Sequence, residues 1–180
     1  MDIIDVNGEL ADYAGPGFWN DPDMLVVGIF GNSSSINSGK VQYGCTLKEY
    51  RTHMSMWCMM AAPLLSGNDV RNMPDSVLNI LTNPEIIAIN QDQLGIQGKM
   101  VKKEGDCEIW IKPLYKGEVA LAVMNRGEQA EKVEVPLQLA GFVNKALVRD
   151  VWLHRDLGEY ESLKLDLEPH VTVVLRLTQH

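Results

Sequence analysis

Residues 15–25, Gly15-Pro16-Gly17-Phe18-Trp19-Asn20-Asp21-Pro22-Asp23-Met24-Leu25, place turn-formers, an indole, an amide and two carboxylates directly ahead of the apolar run Met24-Leu25-Val26-Val27. A short buried strand entered through such a loop suggests a carbohydrate-type site, where rings stack on sugar faces and carboxylates accept hydroxyl protons. Gly15 and Gly17 admit backbone conformations closed to other residues, while Pro16 and Pro22 fix φ and push Gly15 and Asp21 toward extended geometry. The loop is therefore stiff. Asp21 and Asp23 straddle Pro22, so an extended segment would point both to one side and a turn at Pro22 would separate them. For Asn20 and Asp21 the preferred reading is local bracing of the turn through side-chain to backbone bonds; for Asp23 it is ligand contact.

Working outward, Thr46-Leu47-Lys48-Glu49 has capping-box spacing and predicts a helix start. Leu47, Tyr50, Met54, Trp57, Cys58 and Ala61 then recur at helical spacing as one apolar stripe, and the Met54, Met56, Met59 and Met60 group fits a core. Pro63 is expected to end that helix. Leu64-Leu65-Ser66-Gly67 is a second short apolar run leading into Asn68 and Asp69, so strand, polar loop and helix occur twice. Further helical turns are predicted over Pro74 to Leu81 and Pro84 to Ile89, each opened by proline where a missing amide costs nothing. Alternating units of this kind belong to α/β barrels, whose sites lie where strands run into βα loops. Only two such units are expected within residues 1–92, whereas a closed barrel needs eight strands and about 250 residues.

After Gln97 the pattern becomes all-β. Lys99 to Lys102, Cys107 to Lys112, Val119 to Met124, Lys132 to Val135, Ala146 to Val151, Ser162 to Leu167 and Val171 to Leu177 are β-branched or alternating runs divided by turn residues. Leu163, Leu165 and Leu167 alternate with Lys164 and Asp166, the mark of a half-buried strand. The predicted fold class is thus α/β plus all-β: two βα units of a (β/α)8 barrel over 1–92, followed by an antiparallel β-sandwich over 93–180, of seven or eight strands.

Sixteen Lys and Arg against twenty-four Asp and Glu give a formal charge of -8, with no basic run, which argues against a nucleic-acid partner. No apolar run reaches the length of a membrane span, and Asp2 and Asp5 stand where a secretory signal would need basic and then apolar residues. Neither a membrane partner nor an export signal is expected from these residues. Cys45, Cys58 and Cys107 form no CxxC or Cys/His pattern, and His53, His154, His170 and His180 are too scattered for a ligand set, so no metal or other cofactor is expected. Each histidine is read as packed or surface, and Trp110 and Trp152, inside strand patterns, as core.

Four runs in this order, GPGFWNDPDMLVVG (15–28), MAAPLLSGNDVRNM (60–73), IIAINQDQLGIQGK (86–99) and DVWLHRDLG (150–158), resemble the C-terminal half of family 27 glycoside hydrolases, the α-galactosidase family. The resemblance implies the last two strand-helix units of the catalytic barrel and the antiparallel C-terminal domain. It also implies that Asp23 and Met24 line a galactose pocket, with Trp19, Asn20 and Asp21 as its support. Retaining hydrolysis uses a nucleophilic carboxylate and an acid/base carboxyl about 5 to 5.5 Å apart. Both belong to motifs that lie upstream of this sequence, so no catalytic residue is assigned to it, and Asp2, Asp5 and Asp12 are not promoted to that role. The chain alone is therefore expected to be inactive. The implied ligand is a galactose-terminated oligosaccharide or glycoconjugate, the implied partner the missing N-terminal barrel half, and related specificities are α-N-acetylgalactosaminidase or β-L-arabinopyranosidase. A non-catalytic carbohydrate-binding module is the alternative from another class. Members of the family are usually secreted, periplasmic or lysosomal.

Overall fold

The structure, a computed structural model, describes residues 2–30 and 44–179. Four α-helices come first: α1 (Asp2–Glu9), α2 (Leu47–Met59), α3 (Asp75–Leu81) and α4 (Pro84–Asn90). Eight strands follow: β1 (Lys99–Glu104), β2 (Cys107–Pro113), β3 (Val119–Asn125), β4 (Glu131–Pro136), β5 (Ala146–Asp150), β6 (Arg155–Tyr160), β7 (Ser162–Leu167) and β8 (Thr172–Thr178). His180 lies outside the described residues.

The predicted capping box starts α2: the Glu49 amide donates to Thr46 Oγ1 at 3.3 Å, and the Thr46 amide donates to Glu49 Oε2 at 2.7 Å. Tyr50, Met54, Met56, Trp57, Cys58, Met59 and Met60 are buried, whereas Leu47, at the first turn, stays exposed. The helix stops before Pro63. Ala61 takes φ 53°, its amide donates to Cys58 O at 3.2 Å, and the Ala62 amide donates to Trp57 O at 3.0 Å. This left-handed closure satisfies the last carbonyls without glycine, and Pro63 merely follows it. α3 begins one residue later than predicted, with Pro74 outside as its N-cap, and α4 has Pro84 in its first turn under an Asn83 cap.

The two predicted parallel strands of 1–92 are reduced to a single parallel bridge between Leu25 and Ser66. The Leu25 amide donates to Leu65 O at 2.7 Å, and the Gly67 amide donates to Leu25 O at 2.9 Å. Parallel pairing is sustained by neighbours on both sides of each strand. Among the described residues no further strand flanks this bridge.

All seven predicted strands are present, within a residue or two of their predicted ends. The eighth, β6, has no apolar alternation, is almost wholly exposed, and is held as an edge strand by antiparallel pairing to β5. Strand order in the large sheet is β1-β2-β3-β8-β5-β6, and β4 pairs with β7 in a separate two-stranded sheet. The central strands β2 and β3 are buried along most of their length, with little of the alternation of a one-faced sheet. One face sends Trp110, Ala120, Ala122, Met124 and Val174 into the core shared with the helices. The other sends Ile109, Leu121, Val123, Leu175 and Leu177 against Val133, Val135, Leu163 and Leu167 of the small sheet. The chain thus has three layers, helices, large sheet and small sheet, around two cores.

α1 is fastened to the rest by specific contacts. A side chain at Gly8 would come within 2.9 Å of the Trp110 ring, so only glycine lets the helix lie on that indole. Gln97 Nε2 donates to Asn7 O at 2.7 Å, and Arg126 forks onto Asp5.

Candidate active site

The opening loop turns at Pro22 instead of running extended. Asp23 adopts φ 127°, a region disfavoured for a residue with a side chain, and its amide donates to Asp21 Oδ1 at 3.1 Å. Asp23 Oδ1 in turn accepts the Met24 amide at 2.7 Å. The two carboxylates therefore form no acid/base pair: Asp21 is occupied in bracing the turn that presents Asp23.

From the other side the turn is held by α2. Trp57 Nε1 donates to Asp23 O at 2.8 Å, and the His53 ring stacks on Trp57 with centroids 3.9 Å apart. His53 Nε2 lies 3.4 Å from the Val26 amide and accepts from it, which places the ring proton on Nδ1. Burial, chiefly, pushes the imidazole down to about 4 from its ordinary 6.5, so it is neutral near pH 7.

Asp23 and Met24 share a cleft of about 380 Å³ with Ile4, His53 and Trp57. The Met24 thioether lies over Gly67, where an added Cβ would come within 2.6 Å of the sulfur. Glu49 and Cys45 also border the cleft. Glu49 is committed elsewhere: the Thr46 amide, and then the Thr46 hydroxyl and His170, hold its carboxyl below the usual range. Burial pushes the Cys45 thiol up, away from thiolate. The site thus brings together one fixed carboxylate, a thioether and the stacked rings of His53 and Trp57.

Trp19, Asn20 and Asp21 are not brought to this cleft. The Trp19 ring lies with Pro16 over Gly95 and borders a separate hollow with Ala62, Asn90 and Asp92. Asn20 Nδ2 donates to Leu10 O at 2.7 Å and to Gln97 Oε1 at 3.0 Å, stapling the loop to the start of the β region. Of the other cleft residues, Trp57 belongs to the apolar stripe expected for the core, and His53 lies outside that stripe. Glu49, His53 and Trp57 lie at spacings of four along α2, a second helical face that the strong methionine core obscured. Among the described residues no group of three His, Cys, Asp or Glu could hold a metal ion.

A family model described as alpha galactosidase A matches residues 2–92, and one described as the alpha galactosidase C-terminal beta sandwich domain matches residues 104–177. The chain belongs to the α-galactosidase family, family 27 of the glycoside hydrolases. Within it, the chain is 42% identical to alpha-galactosidase 2 of Arabidopsis thaliana over 98% of its own length and 42% of that protein's. It is 35% identical to human alpha-galactosidase A over 98% of its length and 41% of that protein's. A crystal structure of a family 27 β-L-arabinopyranosidase from Geobacillus stearothermophilus superposes with a TM-score of 0.89 at 29% identity, covering 99% of this chain and 41% of that one. The chain therefore spans about two fifths of the length of these α-galactosidase relatives, and its β-sandwich is the family's C-terminal domain.

Proposed function

We propose that this chain forms the C-terminal part of a retaining α-galactosidase, in which Asp23 and Met24 supply one wall of the pocket for a terminal galactose. The observation that carries this reading is the fixed presentation of Asp23. Its amide, its carbonyl and one carboxylate oxygen are all hydrogen-bonded, to Asp21, Trp57 and Met24. The remaining oxygen can accept from sugar hydroxyls with little further ordering, and the thioether of Met24 meets the apolar face of the ring. Residues 1–92 then correspond to the last two βα units of a (β/α)8 barrel, with the Leu25–Ser66 bridge as the remnant of its wall, and 93–180 to the sandwich domain. The nucleophile and acid/base carboxyls come from the preceding part of the barrel, which is the partner the reading requires. Trp19, Asn20 and Asp21 support the pocket indirectly by fixing the loop.

The test is hydrolysis of p-nitrophenyl α-galactoside. The chain alone is expected to show none, and activity is expected when the N-terminal part of a family barrel is joined or co-expressed with it. In that assembled protein Asp23→Asn should lower kcat/KM by about a hundredfold, the loss of a charge-assisted hydrogen bond. Turnover by the chain alone, abolished by Asp23→Asn, would overturn the assignment of catalysis to the missing part. A β-L-arabinopyranosidase or α-N-acetylgalactosaminidase specificity is the second reading, since solved structures named for each also superpose on this chain, with TM-scores of 0.89 and 0.85. A stand-alone binding module is disfavoured because Trp110 is buried and the Trp152 ring is tied down, leaving neither as an open stacking platform.

A further inference from the structure

A second cleft, of about 610 Å³ and sharing no lining residue with the one at Asp23, opens between the start of α2, the α3–α4 connection and the β5–β6 turn. In a chain of charge -8 it gathers two cationic side chains, Lys48 and Arg51, beside the imidazole of His154. We propose that this cleft binds a small organic oxyanion, a carboxylate or phosphate carried on a compact ring or chain.

Arg51 is the best-placed cation of this cleft. Its guanidinium lies 4.8 Å from the centroid of the Trp152 ring. That ring is fixed in turn: Trp152 Nε1 donates to Ser55 Oγ at 2.9 Å, and Ser55 Oγ donates to Arg51 O at 2.6 Å. Arg71, Arg126, Arg149 and Arg176 each pair with a carboxylate. Arg51 pairs with none among the described residues, so a planar fork of donors is stacked, oriented and unspent.

The rest of the lining adds neutral polar groups and no carboxylate. Asn79 brings a side-chain amide from α3 that forms no hydrogen bond among the described residues. Asn83 is spent at both ends, capping α4 and donating to Val151 O at 3.1 Å. Glu85, the neighbouring carboxylate, is held by Arg149 and by His154 Nδ1, which donates to it, so its charge is already met and does not oppose an anion in the cleft. Lys48 contacts Glu168, but both are well exposed, and an exposed pair of this kind yields readily to a better-placed anion. Ile80 and Leu153 add apolar surface for a carbon skeleton, and the volume exceeds what a bare ion needs.

The test is titration of the 180-residue chain, at low ionic strength, with glucuronate, glucose 6-phosphate and neutral glucose, followed through amide chemical shifts. The two anions are expected to move the resonances of Lys48, Arg51, Asn79 and His154, and glucose to leave them in place. Arg51→Ala should weaken binding about tenfold, and Arg51→Lys should lose most of the carboxylate affinity because the ammonium cannot fork. A response to glucuronate alone assigns a carboxylate ligand, and a response to the phosphate alone a phosphate ester. Asn79→Ala, on an exposed face of α3 that does not support Trp152, should weaken binding without touching the stack. Absence of shifts in the unaltered chain, equal shifts with glucose, or binding indifferent to both Arg51→Ala and Asn79→Ala would overturn the proposal.

Discussion

The indole nitrogen of Trp57 donates to the backbone carbonyl of Asp23 across 2.8 Å, so a helix residue thirty-four positions away holds the loop residue that faces the cleft. Trp57 is almost fully buried, and its hydrogen bond is made at the one point where the loop backbone is strained, φ 127° at Asp23. Trp57→Phe keeps the ring and removes the donor. It should cost about 1–3 kcal/mol of stability, read by urea unfolding, because the carbonyl loses its partner in a partly buried place.

Asp23 itself separates strain from function. At φ 127° alanine is disfavoured and glycine is not, so Asp23→Gly should be more stable than Asp23→Ala by about 1 kcal/mol or more. Both should abolish whatever the carboxylate contributes to sugar binding. Equal stability of the two variants would show that the backbone relaxes there.

His53 makes stability depend on pH. Above about 6.5 the imidazole is neutral in both states. Between 6.5 and about 4 the unfolded chain takes up the proton while the buried ring does not, so this group's contribution is lost as the pH falls through that window. The loss is at most about 3 kcal/mol. Glu49, Asp5 and Glu85, whose carboxyls are held below their ordinary values by hydrogen-bonding partners, add their losses only at lower pH. Urea midpoints measured at pH 7 and 5 should therefore differ in the natural chain and converge in His53→Gln.

Glu108 is buried at the junction of α1 and the large sheet, where it accepts from Arg126 at 2.9 Å, Trp110 Nε1 at 3.2 Å and Lys103 at 3.3 Å. Arg126→Ala leaves that carboxylate with a single exposed cation and also frees Asp5. A loss of about 3 kcal/mol is expected by thermal or urea unfolding, with Glu108→Gln in the same background restoring part of it.

Thr46→Ala removes one half of the capping box and should cost about 1 kcal/mol, measurable as a shift in urea midpoint with unchanged slope.

Local chemistry made much of this architecture readable. Thr46 and Glu49 announce the start of α2 because their partners lie within three residues, and Leu163, Leu165 and Leu167 mark a half-buried strand because alternation is a local property. β6 escaped because its only structural reason is a neighbour: Arg155 to Tyr160 have no apolar face and are ordered by pairing with β5. Ala61, ending α2 with φ 53°, gave no sign in residue type, since the position is normally glycine's. At the site, Asp23 could be ranked above Asp21 from the turn chemistry, but the contribution of His53 and Trp57 required knowing that α2 crosses beneath the loop.

The large sheet is lined by apolar residues on both of its faces, and this joins what the two family models treat as separate parts. Trp110, Ala120, Ala122, Met124 and Val174 share a core with the helices and with Leu25 and Val27, and Met59 O receives the amide of Gly98 at 2.8 Å where the two regions meet. Severing the chain near residue 98 would leave the sandwich with a greasy outer wall and the helices with no floor. The two regions share one core, so a substitution deep in β3, at Ala122 for instance, should be felt by the helix that steadies Asp23.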